Sequence, residues 1–314
     1  MLKYTLKRLG GAFISLFIVI TTIFILLRLM PIEGYLGANW DKLSPETIAQ
    51  RLHSRGLDQP IIVQLWRFYV RLIQGDLGTS WIYLEGRPIT QIILPKLVIS
   101  AKVGLLAMLV SLVTGIPLGV VMARKKGSFV DHLGTGFIVL VNAVPIVIYY
   151  LFIQIYLSGL LGLPILFSKS KYLSWILPVL SLSLWSIANY AVWMRRYMVD
   201  QMNQNYVQLA QAKGVSGKRI TSRHVFRNAL VPIVQLLPSS ILLTVVGSIY
   251  LESLYSVPGT GGLLIDVIQR QDNTMVQALV LIYSSIGIVG LFLGDIMMML
   301  IDPRIRIVKG EGER

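Results

Sequence analysis

Six apolar runs, each close to the roughly 20 residues a helix needs to cross a bilayer core, constrain this chain more than any other feature of its sequence. They cover residues 10–30, 101–123, 133–157, 173–194, 230–251 and 276–301. Inside hydrocarbon every backbone N–H and C=O must find a partner within its own segment, so a run of that length specifies a helix. Composition agrees: 54% of the 314 residues are hydrophobic, 14% are charged and the mean hydropathy is +0.68. Soluble domains carry roughly 25% charged residues. The expected fold class is an all-α polytopic membrane protein with six transmembrane helices. Lys3, Lys7 and Arg8 precede the first run, as in a secretion signal. That run is longer than a signal's apolar core and has no small-residue cleavage pattern before Pro31, so an uncleaved anchor is expected.

Charge gives the orientation. The formal net charge of +14 comes from residues between and around the spans, not from an aromatic-interleaved basic patch, so it points to membrane topology and away from nucleic acid. When six spans alternate, the N-terminal tail, Arg124-Lys125-Lys126, the basic residues from Arg195 to Arg227, and Arg304, Arg306 and Lys309 share one side. Basic loops collect in the cytoplasm. Residues 1–8 and 302–314 are therefore expected as cytoplasmic tails flanking a membrane domain at 9–301. Cysteine is absent, which excludes disulfides and thiolate chemistry, and His53, His132 and His224 lack metal-ligand spacing. Charges in or beside the spans (Arg28, Lys102, Arg195, Arg196, Asp295) lie near span ends, where they snorkel or pair. A carrier driven by protons or sodium would be expected to show one at mid-depth, so this chain offers no motor of its own.

The most distinctive polar stretch is Tyr206 to Pro232, YVQLAQAKGVSGKRITSRHVFRNALVP, within a loop at 199–229. It contains five lysines and arginines and no acid. A short helix to Lys213, a flexible Gly214 past its end and a second polar helix from about Ser216 into Pro232 would make a compact knob. This stretch resembles the coupling loop of binding-protein-dependent ABC importer permeases, with Gln208 at the Glu position of its Glu-Ala-Ala pattern, Leu209 and Ala210 at the two Ala positions, and Gly214 on the Gly. AKG with RHVFRNALVP is similar to the peptide and nickel branch. LDQPIIVQ at 57–64, GDLGTS at 75–80, ILPVLSLSL at 176–184, E-x-x-Y-S-x-P-G-x-G from Glu252 to Gly261 and IDPRIR at 301–306 extend the likeness over nearly the whole chain.

Between the first two runs lies a loop at 31–100 expected to be external and helical. Ser44 followed by Pro45 is a helix start, and Asp58 and Pro60 open a second helix that Gly75 ends. Trp40, Trp66 and Trp81 suit the membrane interface. After the fifth run, Pro258, Gly259, Gly261 and Gly262 form a tight external turn, and Leu263 to Ile268 a short re-entrant helix, within a loop at 252–275. Prolines 117, 145, 178 and 238 interrupt the spans. Asn142, Tyr149, Gln154, Asn189, Gln235 and Thr244 are candidates to line a pathway, or to bond between helices.

What the resemblance implies is a type I ABC importer permease (MetI-like) fold and a permease subunit forming half of a pathway for oligopeptides or dipeptides, with nickel or another small solute as the alternative. It implies a second homologous permease, two ATPase subunits carrying ATP and Mg, and an external solute-binding protein, in the cell membrane of a bacterium or archaeon. Tyr206, Gln208, Ala210, Ala212, Lys213, Gly214, Lys218 and Arg219 would meet the ATPase; Glu252, Pro258, Gly259, Gly261 and Asp266 would meet the binding protein. The family's usual Arg-Asp after the re-entrant helix stands here as Gln271-Asp272, with Arg270 one place earlier. No Gly-rich phosphate loop with a following Lys-Ser or Lys-Thr is present, so the chain itself is not expected to hydrolyse ATP. Asp295 has no second Asp in another expected span with which to form a protease dyad. A passive channel or an assembly scaffold is the remaining different class.

Overall fold

The computed structural model describes residues 2–31, 35–36 and 40–301; the expected C-terminal tail, with Arg304, Arg306 and Lys309, lies outside the described residues. Helix α1 (Leu2–Arg28) absorbs the expected N-terminal tail, because no Pro or Gly breaks the run of helix formers before Gly10. In the following loop, α2 (Pro45–Ser54) starts as expected: the Ser44 hydroxyl accepts from the Thr47 amide at 3.3 Å and Pro45 takes the first helical position. Helix α3 (Ile61–Ile73) follows Pro60 and stops before Gly75, whose φ is +76°. Helix α4 (Ile89–Arg124) begins well before the run expected at 101, because Ile89, Ile92 and Ile93 are buried against the C-terminal third of the chain.

The span expected at 133–157 is not one helix. Helix α5 (Phe129–Ala143) and the segment formed by α6 (Ile146–Phe152), a π turn at Ile153–Leu157 and α7 (Ser158–Leu161) meet at 107°. Pro145 has no amide for the Val141 carbonyl, and its ring holds Val144 in extended backbone (φ −88°, ψ 130°), which breaks the helix there. Helix α8 (Ile176–Met202) leads to α9 (Asn205–Ala212) and then to α10 (Gly217–Arg219), which runs through a π turn at Ile220–Val225 into α11 (Phe226–Val245). The second helix of the knob and the fifth span are thus one rod, Gly217–Val245, instead of two elements divided at Pro232. The rod stops short of the expected 251, where Gly247 takes φ +86°. Helices α12 (Ile249–Tyr255), α13 (Thr260–Gln269) and α14 (Asn273–Ile301) complete the described residues. Among the described residues, five helices are long and apolar enough to cross a membrane, and the bent α5–α7 segment brings the number to six.

Lipid tails are as apolar as the helices, so close backbone packing holds such a bundle together. Helices α4 and α8 pack most extensively and run parallel. The Ser111 hydroxyl donates to the Ser183 carbonyl at 3.1 Å. A Cβ added at Gly115 would lie 2.7 Å from the Ile187 carbonyl oxygen, and one at Gly119 2.7 Å from Met194 Cβ. Ser111, Gly115 and Gly119 recur every fourth residue and form the small-residue seam. Gly104 does the same on α11, where an added Cβ would overlap the Thr244 carbonyl. The α4–α5 turn and α9–α10 share one end of the bundle, where Ala123, Met198, Val207 and Ile220 cluster. At the opposite end, Leu77 and Tyr83 join Ile89, Leu263 and Met275, and the Phe167 amide bonds the Tyr255 carbonyl at 2.9 Å. Helix α14 packs along α11, and Arg8 ties α1 to it through Asp295 at 3.2 Å.

Candidate functional site

The knob is built on its buried side and free on the other. Val207 is buried, with Tyr206 and Ala210 half-buried over Met198, Ile220 and Val225; the Tyr206 hydroxyl donates to Gln201 Oε1 at 2.9 Å. Gln208, Leu209, Ala212, Lys213, Gly214, Lys218 and Arg219 are exposed, Leu209 by 58%. The turn between α9 and α10 is a Schellman motif. The Gly214 amide bonds the Gln211 carbonyl at 2.9 Å, the Val215 amide bonds Ala210 at 3.1 Å, and Gly214 takes φ +75°. Just beneath, Asp131 is buried and held bidentately by Arg195 at 2.7 and 2.8 Å while accepting the Gly127 amide at 2.9 Å. The sequence signal for that pair is a lone acid directly after the basic turn at Arg124–Lys126.

At the opposite end, the turn expected as a contact surface is closed from within. Glu252 is 2% exposed, and its carboxylate accepts from the Ser100 hydroxyl at 2.6 Å and from the Gly261 and Gly262 amides at 2.7 and 3.0 Å. Burial pushes this carboxyl above its ordinary value, against the pull of those donors. Gly259 and Gly261 are buried with it, because a Cβ at either would run into Glu252. The structure therefore places Glu252, Gly259 and Gly261 inside and leaves Pro258, half-buried, and Asp266, exposed, as the expected residues at the surface.

Asp272 is a second internal clamp, one that sequence reasoning does not identify. It accepts from the Ser80 hydroxyl at 2.6 Å, the Ile82 and Tyr83 amides at 3.0 and 2.9 Å, the Thr274 hydroxyl at 2.6 Å and the Met275 amide at 3.2 Å. It thereby caps α14 and fastens the 80–83 strap. Burial alone would raise its pKa, but the donors outweigh burial and hold it below the usual carboxylate value. Arg270 stacks over the Tyr83 ring at 5.2 Å.

Between these ends a cavity of about 320 Å³ opens among α4, α6, α8 and α11. Of the six residues expected as pathway candidates, Asn189 and Thr244 line this cavity, beside Tyr150, Trp185 and Tyr190, which carry no polar signal strong enough to single them out in the sequence. The other four are elsewhere. Asn142 bonds back to the Ile138 carbonyl at 2.8 Å; Gln154 is buried and donates to the Leu254 carbonyl at 2.9 Å; Tyr149 packs edge-on to Tyr150; and Gln235 lies on the side of α11 that meets Gly294.

A family model described as the binding-protein-dependent transport system inner membrane component matches residues 115–307, and its N-terminal companion matches residues 1–81. The chain belongs to this family. Among relatives of this permease, the dipeptide transport system permease protein DppB of Lactococcus lactis subsp. cremoris is 30% identical over 307 residues, covering 98% of this chain and all of that one. The oligopeptide transport system permease protein OppB of Salmonella typhimurium is also 30% identical, over 308 residues and the same shares. The oligopeptide transport system permease protein AmiC of Streptococcus pneumoniae is 35% identical over 223 residues, which span 70% of this permease and 45% of AmiC. The resemblance read from the coupling loop and its companion blocks is borne out at the level of the family.

Proposed function

We propose that this permease carries dipeptides or oligopeptides inward, as one of two permease chains driven by separate ATPase subunits that bind ATP and Mg. The peptide names of its relatives favour peptides over nickel. The observation that carries the reading is the knob, a short helix anchored by Val207 whose outer face offers Gln208, Leu209 and Ala212, with Lys213, Lys218 and Arg219 at its rim. Small residues admit a close partner, and the rim charges complement an acidic one. The knob faces the cytoplasm, as the basic loops require, and the α12–α13 turn faces an external binding protein through Pro258 and Asp266.

Mechanical coupling follows from the rod Gly217–Val245, 29 residues and about 43 Å at 1.5 Å per residue. One end belongs to the knob; the other carries Thr244 into the cavity wall and leads through Gly247 to the α12 turn. Closure of the ATPase dimer displaces the knob, and the rod, moving as a rigid body, changes the cavity and the turn together. Leu209→Glu tests the coupling. The exposed site predicts an unchanged melting temperature and normal membrane levels, with loss of both ATPase co-purification and labelled dipeptide uptake. Normal uptake by that variant would refute the coupling assignment.

A further inference from the structure

A cavity of about 450 Å³ that the transport reading leaves unused lies at the loop end, walled by α1, α2, α3, the 76–81 strap and α14. Four arginines line it, Arg28, Arg55, Arg67 and Arg71, against a single carboxylate, Asp76, which already accepts the Gly78 amide at 2.8 Å. His53, also in the wall, pairs with Asp58 at 2.7 Å. Arg55 has Glu85 at 3.6 Å; among the described residues no carboxylate stands within 4.0 Å of Arg28, Arg67 or Arg71. Arg28 is held between the rings of Phe24 and Tyr35 at 5.1 and 5.2 Å, yet its Nη1 is buried without an acceptor, as is Nε2 of Gln277 in the same wall. Several cations and two unmet donors around one cavity describe a place where an anion with several oxygens belongs.

The helix that supplies two of these arginines indicates where the anion comes from. Helix α3 turns Gln64, Arg67 and Arg71 toward the cavity, while its other face exposes Ile62 (80%), Trp66 (70%) and Ile73 (85%) in one stripe. It packs beside the membrane helix α1 and not above it: Tyr69 stacks on Phe17 at 5.3 Å and bonds Thr21 at 2.7 Å, some distance inside α1's end at Arg28. Arg28 marks the end of α1, so the cavity it lines lies at the level of lipid headgroups. Helix α3, with a Trp on its apolar face and arginines on the other, has the pattern of a helix that dips from that level into the acyl chains. We propose that this cavity binds the phosphate of an anionic phospholipid, with Arg67, Arg71 and Arg28 as its main ligands and the α3 stripe lying along the acyl chains.

The test uses the purified full-length chain in uncharged detergent, followed by thermal unfolding against soluble short-chain phosphatidylglycerol, the matched phosphatidylcholine and inorganic phosphate. Phosphatidylglycerol should stabilise saturably, well beyond the other two. Arg67→Gln with Arg71→Gln should weaken that binding on the order of 30-fold, from the worth of two basic side chains near an anionic headgroup. Arg67→Lys with Arg71→Lys keeps the charge without the planar fork and should fall between. If the Gln pair does not accumulate, the Lys pair carries the test alone, and binding as tight as in the native chain would overturn the site. Equal stabilisation by inorganic phosphate would overturn the lipid source. Identical phosphatidylglycerol response in native chain and Gln pair would overturn the proposal outright, and would leave the α3 stripe as a face for a second chain.

Discussion

The two polar ends of the bundle use glycine for opposite reasons. At the knob, Gly214 takes φ +75° with nothing within 4 Å of where a Cβ would point, so its role is conformational and the surface around it stays open. At the α12–α13 turn, Gly259 has an ordinary φ of −100°, yet a Cβ there would overlap the Glu252 carboxyl carbon and the Ser100 hydroxyl. The knob's outer face is open, and the turn is shaped around a carboxylate held inside. A partner meeting the knob finds side chains; a partner meeting the turn finds a backbone whose position is set by Glu252.

The largest effect is therefore expected at the turn. Gly259→Ala must displace Glu252, and the carboxylate then loses the Ser100 hydroxyl and the Gly261 and Gly262 amides together. Each buried group left unpaired costs about 1–3 kcal/mol, so the variant should fall well below native membrane levels. The double variant Gly259→Ala with Glu252→Ala should recover part of the loss, because the overlap is gone. Quantitative blotting of membranes checks this, and simple additivity of the two changes would show that the overlap is not the cause.

The difference between the ends also explains what the sequence disclosed. Gly214 past a helix end and Ser44 before Pro45 are local signals whose cause and effect lie within a few residues, and each appears where expected. The carboxylate latch is not local. The family pattern sets Glu252 beside its glycines, but its burial depends on Ser100, 152 positions away, and Asp272 depends on Ser80, 192 positions away. Ser111, Gly115 and Gly119 are legible only as an interruption near Pro117, since their partners on α8 supply the reason for small side chains. Pro232 is locally a helix terminator, yet the helix continues through it, because the packing of Ala229 and Ile233 outweighs one lost backbone bond. Polar side chains are the local signal for a pathway, and that signal passes over Tyr150, Trp185 and Tyr190 in the cavity wall.

Titration gives a middle-sized test, since the 206–232 stretch has no acid while the turn end has two buried ones. Asp272 is held below its ordinary 3.8, so its stabilisation is complete above that value and is lost as pH falls through the lower folded value. Glu252 has the opposite sign. Its folded value is raised above 4.5, so between 4.5 and the raised value stability declines as pH rises. Acidification from neutrality should first raise the melting temperature and then lower it. A tenfold difference in proton affinity between the folded and unfolded chain corresponds to about 1.4 kcal/mol. Glu252→Gln should remove the rise and Asp272→Asn the fall. A rise that persists in Glu252→Gln would mean that another group is responsible.

The smallest effect separates the two uses of glycine most cleanly. Gly214→Ala meets no atom, so the expected cost is only that of holding a Cβ residue at φ +75°, about 1–2 kcal/mol, reduced by the lower entropy of the unfolded chain. Asn tolerates the left-handed region, so Gly214→Asn should lie closer to the native melting temperature than Gly214→Ala does. At 259 no such ordering is available, because the obstacle there is space and not φ, and Asn should be worse than Ala. If Asn and Ala ranked the same way at both positions, the conformational reading of Gly214 would fail, and with it the view that the knob's surface is open to a partner at that turn.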